Sequence, residues 1–230
     1  GVRRVGMELF DDSIVPERAR DVKQEAREFA DEYIAPNAES YYDTGEYPWE
    51  VLEAGMDAGL VAQDIGEEYG GKGFDLAQVL AIAEEFYRAD AGIALTLQLA
   101  SFGAEMVEQY GTDEQKEKYL RPVAENEQLS GLAVSEPQTG SDLAGMTTKA
   151  EKVEGGYELT GDAVEADWLT VYAKTGESDD RYSNYTLFIV ETDSDGYEAE
   201  HIPEKMGMRA SKQGHIVFED CFVPEENVVG

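Results

Sequence analysis

Positive charge is scarce in this chain: eighteen Lys and Arg stand against fifty Asp and Glu, leaving a net charge of −32 at pH 7. A field of that sign repels phosphate backbones and anionic lipid headgroups, so nucleic acid and membrane surfaces are not expected partners. Cysteine is almost lacking. Cys221 stands alone, which excludes a disulfide framework or a cysteine-based metal site and leaves it as a small buried hydrophobe. The two histidines, His201 and His215, sit in strand-like contexts with no second ligand at helical spacing, so no metal site is expected. His201 reads as a surface residue and His215 as a strand residue. No apolar run reaches bilayer length, and residues 1–10 lack the order of a signal peptide. A cytoplasmic protein is the expectation. No G-x-S-x-G elbow is present, so serine-hydrolase chemistry has no support.

The acid that is present is dispersed. Glu67-Glu68, Glu84-Glu85 and Asp179-Asp180 recur along the chain rather than forming a tail. Hydrophobic residues make up 42%, enough for real cores. Together these read as the solvated acidic surface of a folded halophilic protein, whose self-repulsion is screened by molar salt.

Helical periodicity fills the first half. Residues 17–34 place Val22, Ala26, Phe29 and Tyr33 on one face, and Pro36 ends that helix. Residues 48–59 give a second helix, with Trp49, Leu52 and Met56 inward. Gly70-Gly71-Lys72-Gly73 lacks a preceding strand and a following Ser or Thr, so it reads as a structural loop rather than a phosphate cradle. Asp75 caps a third helix whose apolar face is Leu76, Val79, Leu80, Ala83, Phe86 and Tyr87. Residues 91–110 are apolar nearly all round and predict one helix buried on most sides. Gly111 stops it, and Thr112 with Gln115 forms a capping box for the next.

Near residue 129 the pattern changes to short β-favouring runs between turn residues. Residues 147–153 and 157–160, joined at Gly155-Gly156, read as a hairpin; residues 169–173, 185–190 and 215–218 are further strands. The result is an α+β fold in segregated blocks: an all-α N-terminal domain (1–128) and an antiparallel β-barrel-like middle domain (129–230).

The informative stretch is Leu132-Ala133-Val134-Ser135-Glu136-Pro137-Gln138-Thr139-Gly140-Ser141-Asp142. It is a strand running into a turn of small polar residues. Backbone groups at the strand end, the hydroxyls of Ser135, Thr139 and Ser141, and the bare backbone of Gly140 could hold a planar polar heterocycle or a phosphate. The plainer reading is a strand and turn capped by Asp142. Glu136 and Asp142 could suggest an acid–base pair, but nothing sets them across a reacting group, and turn-forming roles suit both.

At this stretch the chain resembles the acyl-CoA dehydrogenase family. The family's T/S-E-P followed by Gly-Ser-Asp appears as Ser135-Glu136-Pro137 and Gly140-Ser141-Asp142. Four further stretches agree in order: Glu84-Glu85-Phe86-Tyr87-Arg88-Ala89-Asp90; residues 110–120, similar to G-T/S-x-E-Q-K-x-K-Y-L; Lys205-Met206-Gly207-Met208-Arg209-Ala210-Ser211, similar to K-x-G-x-R-x-S; and residues 217–230, similar to F-x-D/E-x-x-V-P-x-x-N-x-x-G. The resemblance spans essentially the whole chain. It implies FAD-dependent removal of two hydrogens across Cα–Cβ of an acyl-CoA thioester, with electrons passed on to an electron-transfer flavoprotein. Leu132, Val134, Ser135, Gly140 and Ser141 would contact FAD, and Ser141 would also meet the thioester. The catalytic base, an Arg to the FAD pyrophosphate and the homo-oligomer core would lie in a C-terminal helical bundle absent from these residues, so no catalytic residue is assigned.

One departure stands out. The family follows its hairpin with G-x-K-x-W-I-T/S-N, whose Trp and Thr pack on the flavin. Here the chain reads Gly161-Asp162-Ala163-Val164-Glu165-Ala166-Asp167-Trp168-Leu169-Thr170. Matching Ala166-Asp167 to the family's A-D makes this a deletion of the flavin-contacting stretch. Using Trp168-Leu169-Thr170 in its place leaves the following strand too short. The deletion keeps a second reading open, a non-catalytic scaffold that does not bind FAD by itself. A third is an oxidase-type relative that passes electrons to oxygen.

Overall fold

In the computed structural model, residues 15–163 and 167–230 are described. Their first part is helical: α1 (Glu17–Phe29), α2 (Ala38–Thr44), α3 (Trp49–Asp57), α4 (Leu76–Ala89), α5 (Ala91–Leu99), α6 (Ala104–Tyr110) and α7 (Asp113–Ala124). The rest is a sheet of β1 (Ser130–Ala133), β2 (Lys149–Val153), β3 (Gly156–Ala163), β4 (Trp168–Lys174), β5 (Tyr185–Glu191), β6 (Tyr197–His201), β7 (Gly214–Pro224) and β8 (Val228–Val229).

Two capping boxes start helices where the sequence places them. Asp75 accepts the amides of Ala77 and Gln78 at the head of α4, and Thr112 accepts that of Gln115 at the head of α7. Other helical expectations fail in instructive ways. Beyond Phe29 the first helix continues as a π turn, Ala30–Ile34. The extra residue in that turn rotates the register, so Ala30 and Ile34 are buried and Tyr33 is turned outward onto Phe29. Trp49, expected inward, is 55% exposed at the first residue of α3, where it packs on Tyr47; Leu52 is buried as expected, and Val51 and Gly55 face the core with it.

The stripe assigned to the core on α4 is largely outward. Leu76 is 72% exposed, and Leu80 and Tyr87 are exposed with it. The buried face is Ala81, Ile82, Glu85 and Phe86. A charge sits in that face because Arg27 and Arg88 both bond Glu85, at 2.8 to 3.0 Å. Burial pushes the Glu85 carboxyl up and the two guanidiniums more than offset it, so it lies below the ordinary value.

The single helix expected over residues 91–110 is two helices. Gly103 breaks it in the left-handed region, φ +88°, and a Cβ there would meet Thr170 Oγ1 at 2.4 Å and the Gly131 carbonyl oxygen at 2.5 Å. The corner between α5 and α6 is therefore pressed against β1 and β4, and Ser101 bridges Ser130 beside it. Only a residue without a side chain fits so close a contact.

The sheet runs β6-β7-β3-β2-β4-β5-β8, with β1 parallel to β4 at its side. Most pairs are antiparallel. The path is open, ending on β6 and the two-residue β8 without a ladder between them, so it is not closed into the expected barrel. The hairpin turn is Glu154-Gly155, one residue earlier than the sequence suggested. Gly156 already pairs with Val153 and Pro224, and a Cβ on it would strike the Val223 carbonyl oxygen at 2.1 Å.

Strands β4 and β5 are apolar on both faces, and the packing shows why. Trp168, Leu187, Ile189 and Val229 join the helical core. Leu169, Val171, Ala173, Phe188 and Val190 join a second core on the other side of the sheet. Alternate residues thus feed two cores, which gives continuous apolar runs rather than alternation. Two further contacts stitch helices to sheet. Gln115 Nε2 donates to the carbonyls of Glu226 and Val228 at 2.8 and 2.7 Å. The Tyr119 hydroxyl lies 2.8 Å from Glu191 Oε1 and 3.1 Å from Asn227 Oδ1.

Candidate functional site

The segment singled out in the sequence leaves β1 and runs over the surface. Leu132 is half-buried in β1, opposite Thr170, and Val134 is half-buried just beyond the strand. Ser135, Gly140 and Ser141 are exposed. Neither serine hydroxyl has an intramolecular partner among the described residues. A Cβ built on Gly140 meets nothing within 4 Å. Its φ needs no glycine; what the missing side chain leaves is open space over the backbone. All five predicted residues therefore lie on one continuous surface segment.

The rigidity of this segment comes from residues that chain pattern alone does not reveal. Glu136 is buried, and its carboxylate accepts the Thr148 amide and hydroxyl, each at 2.6 Å. It also accepts the Thr147 amide at 2.8 Å, the Thr147 hydroxyl at 3.0 Å and the Gln138 side-chain amide. Burial pushes the carboxyl up, but these donors outweigh it and hold it below the ordinary glutamate range. The backbone closes a tight turn between Glu136 and Thr139. Farther on, the Tyr185 hydroxyl from β5 bonds the carbonyls of Ala144 and Met146 at 3.0 and 3.3 Å. Glu136 is thus a structural anchor rather than half of a carboxylate pair. Asp142 belongs to the turn, its carbonyl accepting the Gly145 amide at 2.9 Å.

Trp168 is not a surface ring. It is 1% exposed, tilted against Tyr119 with centroids 5.3 Å apart, and its strand pairs with β5 from Trp168 through Lys174. It cannot stand in for a Trp stacked on a ligand at the loop. This agrees with reading the preceding stretch as shortened; its residues 164–166 lie outside the described ones. The exposed hydroxyls and open backbone of 134–141 fit the polar edge of a flavin, while the buried Trp168 is not placed to cover its face.

Several other motif residues do structural work. Glu85 ties α4 to α1 through Arg27, and Asp90 holds the α4–α5 junction, capping α5 through the Ile93 amide at 2.8 Å. Gln115 and Asn227 stitch helices to sheet, Asn227 also donating to the Ile189 carbonyl at 3.0 Å. Lys72 lies over the Phe74 ring and Gly71 is packed against the Ile65 carbonyl, as a structural loop requires. Cys221 is buried, and burial pushes its thiol up to about 11, consistent with an inert hydrophobe.

A helical domain docked on an open sheet, with an anchored polar loop at a strand end, is a two-domain architecture. Family models match it in two consecutive parts: the acyl-CoA dehydrogenase N-terminal domain over residues 16–127 and the middle domain over residues 131–221. The chain belongs to the acyl-CoA dehydrogenase family. It is 36% identical over 239 aligned positions to a mitochondrial isovaleryl-CoA dehydrogenase of Solanum tuberosum, covering 96% of this chain and 55% of that protein. Among solved structures it is similar to butyryl-CoA dehydrogenase from Megasphaera elsdenii, with TM-score 0.85 and 29% identity over 96% of this chain and 60% of that one. It is also similar to an acyl-CoA dehydrogenase complexed with FAD from Bacillus anthracis, with TM-score 0.82 and 31% identity over 97% and 40% of the two chains. The chain thus spans about half the length of the curated relatives it matches.

Proposed function

We propose that this chain is the flavin-binding part of an FAD-dependent acyl-CoA dehydrogenase, with Leu132, Val134, Ser135, Gly140 and Ser141 lying along the cofactor. The observation that carries the reading is the anchored loop: two unpartnered serine hydroxyls and an open glycine held in place by a buried glutamate and Tyr185. Bound FAD would supply the two-electron acceptor for oxidation of Cα–Cβ in an acyl-CoA thioester. The chain's own residues bind and orient: Ser135 donates a hydrogen bond to the ring, and Ser141 reaches cofactor and thioester. The outward apolar stripe of Leu76, Leu80 and Tyr87 on α4 is a surface suited to an acyl chain. The catalytic base is assigned to no residue here. Electrons would leave to an electron-transfer flavoprotein, and the complete protein would be a homo-oligomer of the cytoplasm. Among the described residues no helix is long and apolar enough to cross a membrane.

Replacing Ser135 with Ala is expected to weaken FAD binding by about 1 kcal/mol, the usual worth of one hydrogen bond. Flavin fluorescence titration measures it; an unchanged affinity removes the role. The burial of Trp168 favours one second reading, a scaffold that holds flavin weakly or not at all by itself.

The surface acidity we read as adaptation to high salt. Net charge −32 self-repels until counterions screen it, so the circular-dichroism signal of the folded chain should be incomplete at low salt and rise through molar KCl. A full signal at low salt sinks that reading.

A further inference from the structure

We propose a second, oxyanion-binding pocket in the cleft where α2 meets the connection between β6 and β7, with a phosphate or diphosphate group as its ligand. The cavity is about 270 Å³, lined by Thr44, Gly45, His201, Glu204, Lys205, Arg209 and Lys212 among others. Three cations face it against one carboxylate. Over the whole chain the balance is the reverse, fifty acids to eighteen bases.

The plain alternative is a solvated basic patch, and three observations weigh against it. Lys205, Arg209 and Lys212 are all half-buried rather than waving in solvent. Among the described residues none of them has a carboxylate within ion-pair distance, although Arg18, Arg27, Arg88, Lys118, Arg121 and Lys152 each do. In a chain so rich in acid, three neighbouring cations without a carboxylate partner form a site whose charge is still to be met. Two of the cations are also held in place. Arg209 lies over the Tyr42 ring with its Nη2 3.4 Å from the Asp43 carbonyl, and Lys205 Nζ donates to the Ser211 carbonyl. The exposed His201 ring, which also lines the pocket, has its Nδ1 3.0 Å from the Gln213 carbonyl oxygen. Burial and the nearby Lys212 both push the Lys205 ammonium below its ordinary value, a cost that a bound anion would relieve.

The size and charge select the ligand class. The space is below that of pockets for drug-sized molecules. A planar fork and two ammonium groups match phosphate oxygens, Arg by paired donors and Lys as point charges. The pocket shares no residue with the loop proposed to carry flavin, so the two readings stand or fall separately.

The test is isothermal titration of the 230-residue chain with inorganic pyrophosphate, and separately with ADP, at a KCl concentration where circular dichroism reports the native fold. Saturable binding that falls at least tenfold in Lys212→Glu, and not in Lys149→Gln on β2, supports the site. Equal affinity for the two probes means the phosphates alone are read; tighter ADP means the group arrives on a nucleotide. Should Lys212→Glu fail to fold, Lys212→Gln serves, with a smaller loss expected. No saturable binding of either probe overturns the proposal, as does binding that both Lys212 variants leave unchanged. A change of oligomeric mass in Lys212→Glu without any effect of pyrophosphate also overturns it, because a carboxylate of a second copy would then be the partner.

Discussion

Glu136→Ala is expected to destabilise the chain by about 3 to 5 kcal/mol and to abolish flavin retention, because it strips a buried carboxylate from several donors at once. The donors are the amides and hydroxyls of Thr147 and Thr148 and the side-chain amide of Gln138. Left behind, the amide and hydroxyl of buried Thr148 would lose their acceptor. The segment from Val134 to Met146 would lose one of its two anchors, keeping only Tyr185. Urea denaturation measures the stability, and gel filtration with FAD measures the retention. A variant of near-native stability would mean that the cluster is not an anchor. The same carboxylate gives a pH dependence of known sign. Its folded value is lowered from the ordinary 4.5, so its stabilisation is full above that value and is lost as pH falls through the lower folded one.

Trp168→Ala separates two pictures of the flavin site. The side chain is fully enclosed where helices meet sheet, against Tyr119. Its removal should cost about 3 to 5 kcal/mol, as for large aromatic side chains cut from a core. Were Trp168 instead the ring that stacks on the cofactor, the change would lower flavin affinity and leave apo stability nearly intact. Thermal unfolding of the apo form at constant salt distinguishes the two outcomes. Trp168→Phe should recover most of the stability, since the ring's Nε1 has no hydrogen-bond partner among the described residues to lose.

Where sequence and structure agree, a local signal was strong enough to stand alone. The capping boxes at Asp75 and Thr112 are such signals, since four adjacent residues complete each one. Where they diverge, the deciding partner lies far along the chain. One glycine within an apolar run does not announce a break; Gly103 is explained by Gly131 and Thr170, which press on it. The π turn after Phe29 leaves no trace in hydropathy, yet it moves Tyr33 outward and Ile34 inward. On α4 the pattern misleads because the buried face carries Glu85, whose neutralising arginine Arg27 is 58 positions away, while an apolar stripe is left outside. The site was legible as a segment but not as a structure. Ser135, Gly140 and Ser141 can be read from residue type, whereas the partners of Glu136 lie 11 and 12 residues on and Tyr185 lies on another strand. Several motif residues that carry the family resemblance, among them Glu85, Asp90, Gln115 and Asn227, hold the fold together and do not face the loop at all.

The most direct measurement is the absorbance spectrum of the purified chain, incubated with FAD in molar KCl and passed through gel filtration. The anchored loop predicts visible flavin bands that elute with the protein and are lost in Glu136→Ala. Protein that elutes without flavin, while circular dichroism shows it folded, would contradict the claim that residues 132–141 hold the cofactor and would leave the chain a scaffold.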